Sequence, residues 1–107
     1  MMGLTFKENC PDLRNTRVID IVRELAGYGI QVDVWDPWVD QEQAHEEFGL
    51  DLLPAPAAGG YDAIVLAVAH SQFRELGLEE IRKFGSERCV IYDVKSVLGV
   101  GERVKRL

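Results

Sequence analysis

Lys7 and Arg14 bracket the loop KENCPDLRN (Lys7–Asn15), and their types and spacing point to anion chemistry. Lysine supplies a compact positive charge and arginine a planar fork, a combination that suits a phosphate or pyrophosphate. A helix is expected directly after the loop, and its first turn adds free N–H donors and a partial positive charge. The loop has neither GxGxxG nor GxxxxGK[ST], so it is not a standard dinucleotide fingerprint or a P-loop. Residue types alone leave a second reading equally open, in which Lys7 and Arg14 pair with Glu8 and Asp12 on a solvated loop.

Other candidates carry a bland reading beside the chemical one. Lys95 ends an apolar run and faces the same crevice, or is an ordinary exposed lysine; Ser96 can cap the next turn. His70 can contact a ligand, but the simpler reading is a capping or solvent-facing histidine. His45 sits among glutamates on a polar stretch and reads as surface. Cys10 lies near Lys7 and a helix start, where a thiol pKa falls, yet no base stands close in sequence; an incidental cysteine is the better reading. Cys89 reads as a small core residue. Trp38 is either exposed on the crevice rim or half-buried under the following helix, while Trp35 packs on the sheet. No His/Cys/Asp/Glu spacing matches a metal site.

These residues need elements to place them. Asn15 to Gly29 reads as a helix with Val18, Ile21, Val22, Leu25 and Ala26 as its buried stripe, capped by Asn15 or Thr16 and stopped by Gly27 and Gly29. Ile30, Val32 and Val34 alternate as a strand that Pro37 ends. Val39 to Phe48 reads as a polar helix closed by Gly49, Leu50 to Leu53 as a short strand and Pro54 to Gly60 as a loop. The runs AIVLAV (Ala63–Val68) and CVIYDV (Cys89–Val94) read as strands buried on both faces, with a helix at Leu78–Phe84 between them. The tail Gly99–Leu107 is basic and expected to fray, with Val104 packing. Strand–helix alternation predicts an α/β, Rossmann-like three-layer sandwich, with a mostly parallel sheet and helices on both faces. Ligands then bind beyond the carboxyl ends of the strands, at the loops starting near Lys7, Asp36, Ala69 and Asp93.

The chain has 107 residues, room for one domain and too few for separate cofactor and substrate domains. Twelve basic against 18 acidic residues leave a net charge of −6, which disfavours a general nucleic-acid binder. No apolar run approaches the roughly 20 residues that span a bilayer, and MMGLTFKENC does not read as a signal peptide; with two cysteines and no disulfide framework, a cytoplasmic protein is expected. Only MMGLTF precedes the first loop. The first strand is thus expected to be short or clipped and the chain a piece of something longer, with an exposed edge that favours a homo-oligomer.

Gly3 to Thr16 (GLTFKENCPDLRNT) resembles the G-(L/F)-x-(F/Y)-K-x-(N/D)-x-x-D-x-R-x-(S/T) signature of UDP-sugar 6-dehydrogenases, the UDP-glucose dehydrogenase family. That signature opens their C-terminal UDP-binding domain. VDVWDP (Val32–Pro37), YDAIVLAV (Tyr61–Val68) and YDVKSVL (Tyr92–Leu98) extend the resemblance over nearly the whole chain. The spelling TFKENCPDLRNT with DPWVD and AVAH is similar to the branch that acts on UDP-N-acetylhexosamines, and less like the UDP-glucose branch.

The resemblance implies an NAD-dependent oxidation of the sugar C6 alcohol to the uronic acid, for surface polysaccharide precursors. It implies that Phe6 and Lys7 contact the UDP-sugar. It also implies that Arg14 reaches the NAD held by an N-terminal domain across a cleft. Many relatives carry Asp-Gly-Arg after the last strand; here the run is Asp93-Val94-Lys95-Ser96, so Lys95 or Ser96 takes the place of a substrate-binding arginine. The family's catalytic cysteine and glycine fingerprint lie in other domains, and Cys10 does not match that cysteine. No catalytic residue is therefore expected in this chain, which should bind a UDP-sugar without turning it over. The alternative is a non-catalytic Rossmann-like binding or dimerisation module. A phospho-acceptor receiver domain fits poorly, because Lys7 and Glu8 stand where it needs an acidic pair.

Overall fold

A computed structural model describes residues 1–106. Its elements are α1 (Val18–Gly27), α2 (Gln41–Phe48), β1 (Tyr61–Leu66), α3 (Ser71–Arg82), β2 (Gly85–Asp93) and β3 (Val104–Arg106). The strands form a parallel sheet in the order β1-β2-β3. Two extended segments continue it beyond β1. Met2 is bridged in parallel to both Leu66 and Trp35. Its N–H donates to the Val65 carbonyl at 2.8 Å, while the Gly3 N–H donates to the Trp35 carbonyl at 2.9 Å. The spatial order is therefore Trp35, Met2, β1, β2, β3. The chain runs from Met2 outward to one side, then returns to build the other side. This reversal is the switch point at which open α/β sheets leave a crevice, and the fold is α/β and Rossmann-like.

Alternation along β1 divides the core between the two sheet faces. Val65, with Ala67 and Val68 beyond the strand, joins Leu4, Val18, Ile19 and Val22 under α1, and Ala44 under α2. Ile64 and Leu66 join Phe73, Ile81, Cys89 and Ile91 under α3. Burial of each such aliphatic side chain stabilises the fold by about 2 kcal/mol. Gly3 lets the central segment close on β1. Its φ is +97°, and a Cβ there would lie 2.7 Å from the Val68 Cβ and 2.9 Å from the Val68 nitrogen.

Several elements depart from the sequence expectations. The buried stripe of α1 is Val18, Ile19 and Val22; Ile21 is exposed and Leu25 only partly buried. The N-cap of α1 is Arg17, with no side-chain cap bond, rather than Asn15 or Thr16; Thr16 Oγ1 still accepts the first-turn Val18 N–H at 3.2 Å and donates to the Leu4 carbonyl at 2.6 Å. Ile30 to Val34 forms no ladder: among the described residues pairing starts only at Asp33, whose carbonyl accepts from Met1. Leu53 makes one bond to Val34 rather than a strand. The two apolar runs are not buried on both faces, since the neighbouring residues Ala63 and Val90 are exposed. The helix expected at Leu78–Phe84 is observed as the second part of α3, ending at Arg82: Gly77 (φ 73°, ψ 171°) is non-helical and divides Ser71–Arg82 into two helical stretches, of which the first was not expected. The tail does not fray through Arg106: Val104–Arg106 pairs with Ile91–Asp93 as an edge strand. Lys105 and Arg106 are residues that suit a solvated edge. Leu107, the last residue of that expectation, lies outside the described residues. The polar helix closed by Gly49 is observed as α2, with Asp40 accepting the Glu42 and Gln43 amides and Gly49 in the left-handed region.

Candidate functional site

A cleft of about 320 Å³ opens at the carboxyl ends of the central segment, β1 and β2, at the switch point. Ala67 and Val68 lie at its base, and Phe6 and Lys7 come from the first loop. Arg17 and Ile21 come from the start of α1, and Lys95 from the turn after β2. Phe6 is 56% exposed, so an aromatic face and an aliphatic one (Ile21) stand beside three cations. Glu8 is the one acidic residue on its wall among the described residues. A smaller apolar hollow at the amino ends, around Tyr61 and Phe84, has no lysine or arginine on its wall.

The structure separates the two cations of the first loop. Lys7 has no carboxylate within 4 Å among the described residues, and neither has Lys95. Arg14 does not line the cleft. It grips Asp12 with Nε at 3.0 Å and Nη2 at 3.2 Å, on a side chain that is 82% exposed. Hydrogen bonds from the Arg14 side chain hold the Asp12 carboxyl below the usual carboxylate range. The pairing alternative thus describes Arg14 and not Lys7. Ser96 lies outside the cleft wall, in a turn with φ 56° whose N–H donates to the Asp93 carbonyl. Asp93, fully buried, accepts the Leu98 N–H at 2.8 Å and so fixes the turn that carries Lys95. Arg17 was not a candidate from the sequence; its position at the mouth of α1, beside a loop already read as cationic, was the signal.

The first loop is held from below by a buried polar network. Asp36 accepts the Leu4 N–H (2.7 Å), the Thr5 N–H (3.2 Å) and the Trp38 N–H (2.8 Å). His70 Nε2 lies 2.9 Å from Asp36 Oδ2. Burial pushes the Asp36 pKa up, but the hydrogen bonds from His70, Leu4 and Trp38 outweigh it and hold the carboxyl below its ordinary value. His70 stands at the N-cap of α3, though its side chain makes no capping bond, and it is not solvent-facing: it is wholly buried. The cause is its partner set, since a polar ring can be buried when both nitrogens are satisfied. Trp38 is half-buried, with its ring 6.1 Å from that of His70 and its Nε1 donating to Gln72 Oε1 at 3.0 Å.

Neither cysteine lines the cleft. Burial raises the Cys89 thiol pKa, which suppresses the thiolate. Among the described residues no group of three His, Cys, Asp or Glu is placed to hold a metal, and no helix is long and apolar enough to cross a membrane. Three cations beside an aromatic and an aliphatic face have the chemistry that suits an anion with an apolar or ring portion.

Residues 1–100 match the UDP-glucose/GDP-mannose dehydrogenase family, UDP binding domain. The chain is 61% identical over 98 residues to a UDP-N-acetyl-D-glucosamine 6-dehydrogenase of Pseudomonas aeruginosa, covering 92% of this chain and 23% of that protein. A protein of the same description from Salmonella typhi is 49% identical over 107 residues, which is 100% of this chain and 25% of the relative. An NDP-N-acetyl-D-galactosaminuronic acid dehydrogenase of Ralstonia solanacearum is 38% identical over 82 residues, 75% of this chain and 19% of the relative. The chain spans about a quarter of the length of the first two relatives.

Proposed function

The chain belongs to the UDP-glucose/GDP-mannose dehydrogenase family, as its UDP-binding domain, and from that premise we propose that the switch-point cleft binds the UDP end of a UDP-sugar. Lys7 takes the phosphates or the sugar. Phe6 packs against the ligand, and Lys95, not Ser96, supplies the second cation on that wall. The observation that carries this reading is the unpaired Lys7, set next to Phe6 and Lys95 at the carboxyl ends of parallel strands. Remote binding energy of this kind orients a substrate for chemistry performed elsewhere.

The protein to which this domain belongs is proposed to oxidise the C6 alcohol of a UDP-N-acetylhexosamine to the uronic acid. The names of the two relatives with highest identity given above support that substrate class. NAD would accept the hydride. The chain's likeness to the family, and not any GxGxxG of its own, is the ground for giving Arg14 its part in holding NAD. The exposed guanidinium fits a phosphate partner by exchanging Asp12 for it.

Calorimetric titration with UDP tests the reading. Saturable binding by the wild-type chain is expected, weakened about 10- to 100-fold in Lys7→Ala, the range for a lost charge-assisted hydrogen bond. Absence of binding by the wild type, or equal binding by Lys7→Ala, would overturn it. The first of those outcomes would favour a module that only pairs with other domains.

A further inference from the structure

His70 joins three loops from a position with no access to solvent. The Asn9 backbone N–H donates to its Nδ1 at 2.9 Å. An amide can only donate there, so Nδ1 carries the lone pair and the proton sits on Nε2. Nε2–H then faces Asp36 Oδ2 at 2.9 Å and Thr5 Oγ1 at 3.2 Å. A neutral imidazole in this tautomer satisfies every neighbour, and Asp36 fixes its plane through the amides it also accepts.

The segment fastened by His70 is the one that carries Lys7. The Lys7 carbonyl accepts from the Thr5 hydroxyl at 2.9 Å. Two residues on, Asn9 is in the left-handed region (φ 54°) and is held from two sides. Its N–H is on His70, and its side-chain Oδ1 accepts the Ser71 N–H at 2.8 Å. His70 itself does not line the cleft. We infer that His70 is a positioning residue for the nucleotide site: its Nδ1 acceptor, separately from its bond to Asp36, sets the backbone turn from which Lys7 meets the ligand. This rests on the reading that the cleft binds UDP. A preorganised loop binds with less ordering cost than a loose one.

Two variants divide the roles of the ring nitrogens. His70→Asn keeps an acceptor near Nδ1 and loses the donor to Asp36. His70→Gln reaches Asp36 with a donor and loses the acceptor for Asn9. In calorimetry, His70→Gln is expected to weaken UDP binding about 10-fold, the effect of one lost hydrogen bond, while His70→Asn stays within about threefold of wild type. In urea unfolding the order is reversed or equal, His70→Asn losing at least as much stability. Amide exchange in the free chain should accelerate at Lys7, Glu8 and Asn9 in His70→Gln only. Affinity that falls in step with stability in both variants would overturn the inference, as would wild-type affinity in His70→Gln. Should His70→Gln not fold, amide exchange in the wild-type chain decides: the N–H of the exposed Asn9, bonded to His70 Nδ1, is expected to exchange at least about 10-fold more slowly than an unstructured amide, and unprotected exchange there would overturn the inference. If the wild type binds no UDP, the functional reading fails, while the exchange contrast between the two His70 variants still accepts or rejects the positioning role.

Discussion

Asp36 shows how a single carboxylate can govern a site it does not touch. All four of its close partners donate: the amides of Leu4, Thr5 and Trp38, and His70 Nε2. Its pKa is depressed in the folded chain, so its contribution to stability is present above the unfolded value of about 3.9 and is lost as pH falls through the folded value. Urea unfolding should therefore weaken below about pH 4. Asp36→Asn sets an NH2 against a donor whichever way it turns, and should cost about 1–3 kcal/mol at pH 7, with a smaller difference from wild type in acid. An Asp36→Asn chain as stable as wild type at pH 7 would contradict this account of the network. At this scale the sequence was legible for the position of Lys7, which its place at the start of the first loop sets on the cleft wall. It was not legible for His70, whose burial depends on Thr5 and Asn9 from the first loop and Asp36 from the second arriving around it. Nor could it decide Arg14, because Asp12 is near enough in sequence to pair with it in any fold.

Local pattern located the elements that hold a complete signal within themselves. α2 has Asp40 at one end and Gly49 at the other, and its bounds follow from those two residues. β3 has no such signal; it exists because β2 offers a free edge, which the Arg103 carbonyl and Val104–Arg106 satisfy. α3 was half legible: the stretch after Gly77 was expected, and the stretch before it, from Ser71, was not. The central segment depends most on one residue. Gly3 combines a positive φ with an approach to Val68 that leaves no room for a methyl group. Gly3→Ala must either move the segment off β1 or strain it in place, and both displace Phe6 and Lys7 just downstream. The expected cost is about 2–3 kcal/mol of stability, read by urea unfolding, together with weaker UDP binding. Wild-type stability and affinity in Gly3→Ala would show that this close approach does not matter.

For the whole molecule, net charge and site charge point in opposite directions. The chain carries −6 overall, yet its switch-point cleft gathers Lys7, Arg17 and Lys95 against one carboxylate, Glu8, among the described residues. The positive charge is thus a local cluster on an acidic body, a pattern that composition alone hides and that topology creates by bringing the ends of three parallel segments together. What the cleft lacks is equally informative about the division of labour. Among the described residues its wall presents no cysteine or histidine, Cys89 is buried with a raised thiol pKa, and Cys10 stands outside the cleft. On the proposed reading, the cleft orients a substrate whose chemistry is performed elsewhere. The chain incubated with UDP-N-acetylglucosamine and NAD is therefore expected to bind the nucleotide sugar and form no NADH. Absorbance of NADH above the protein-free control, retained after further purification and abolished in Lys7→Ala, would place the oxidation chemistry within these residues and overturn the assignment of the cleft to binding alone.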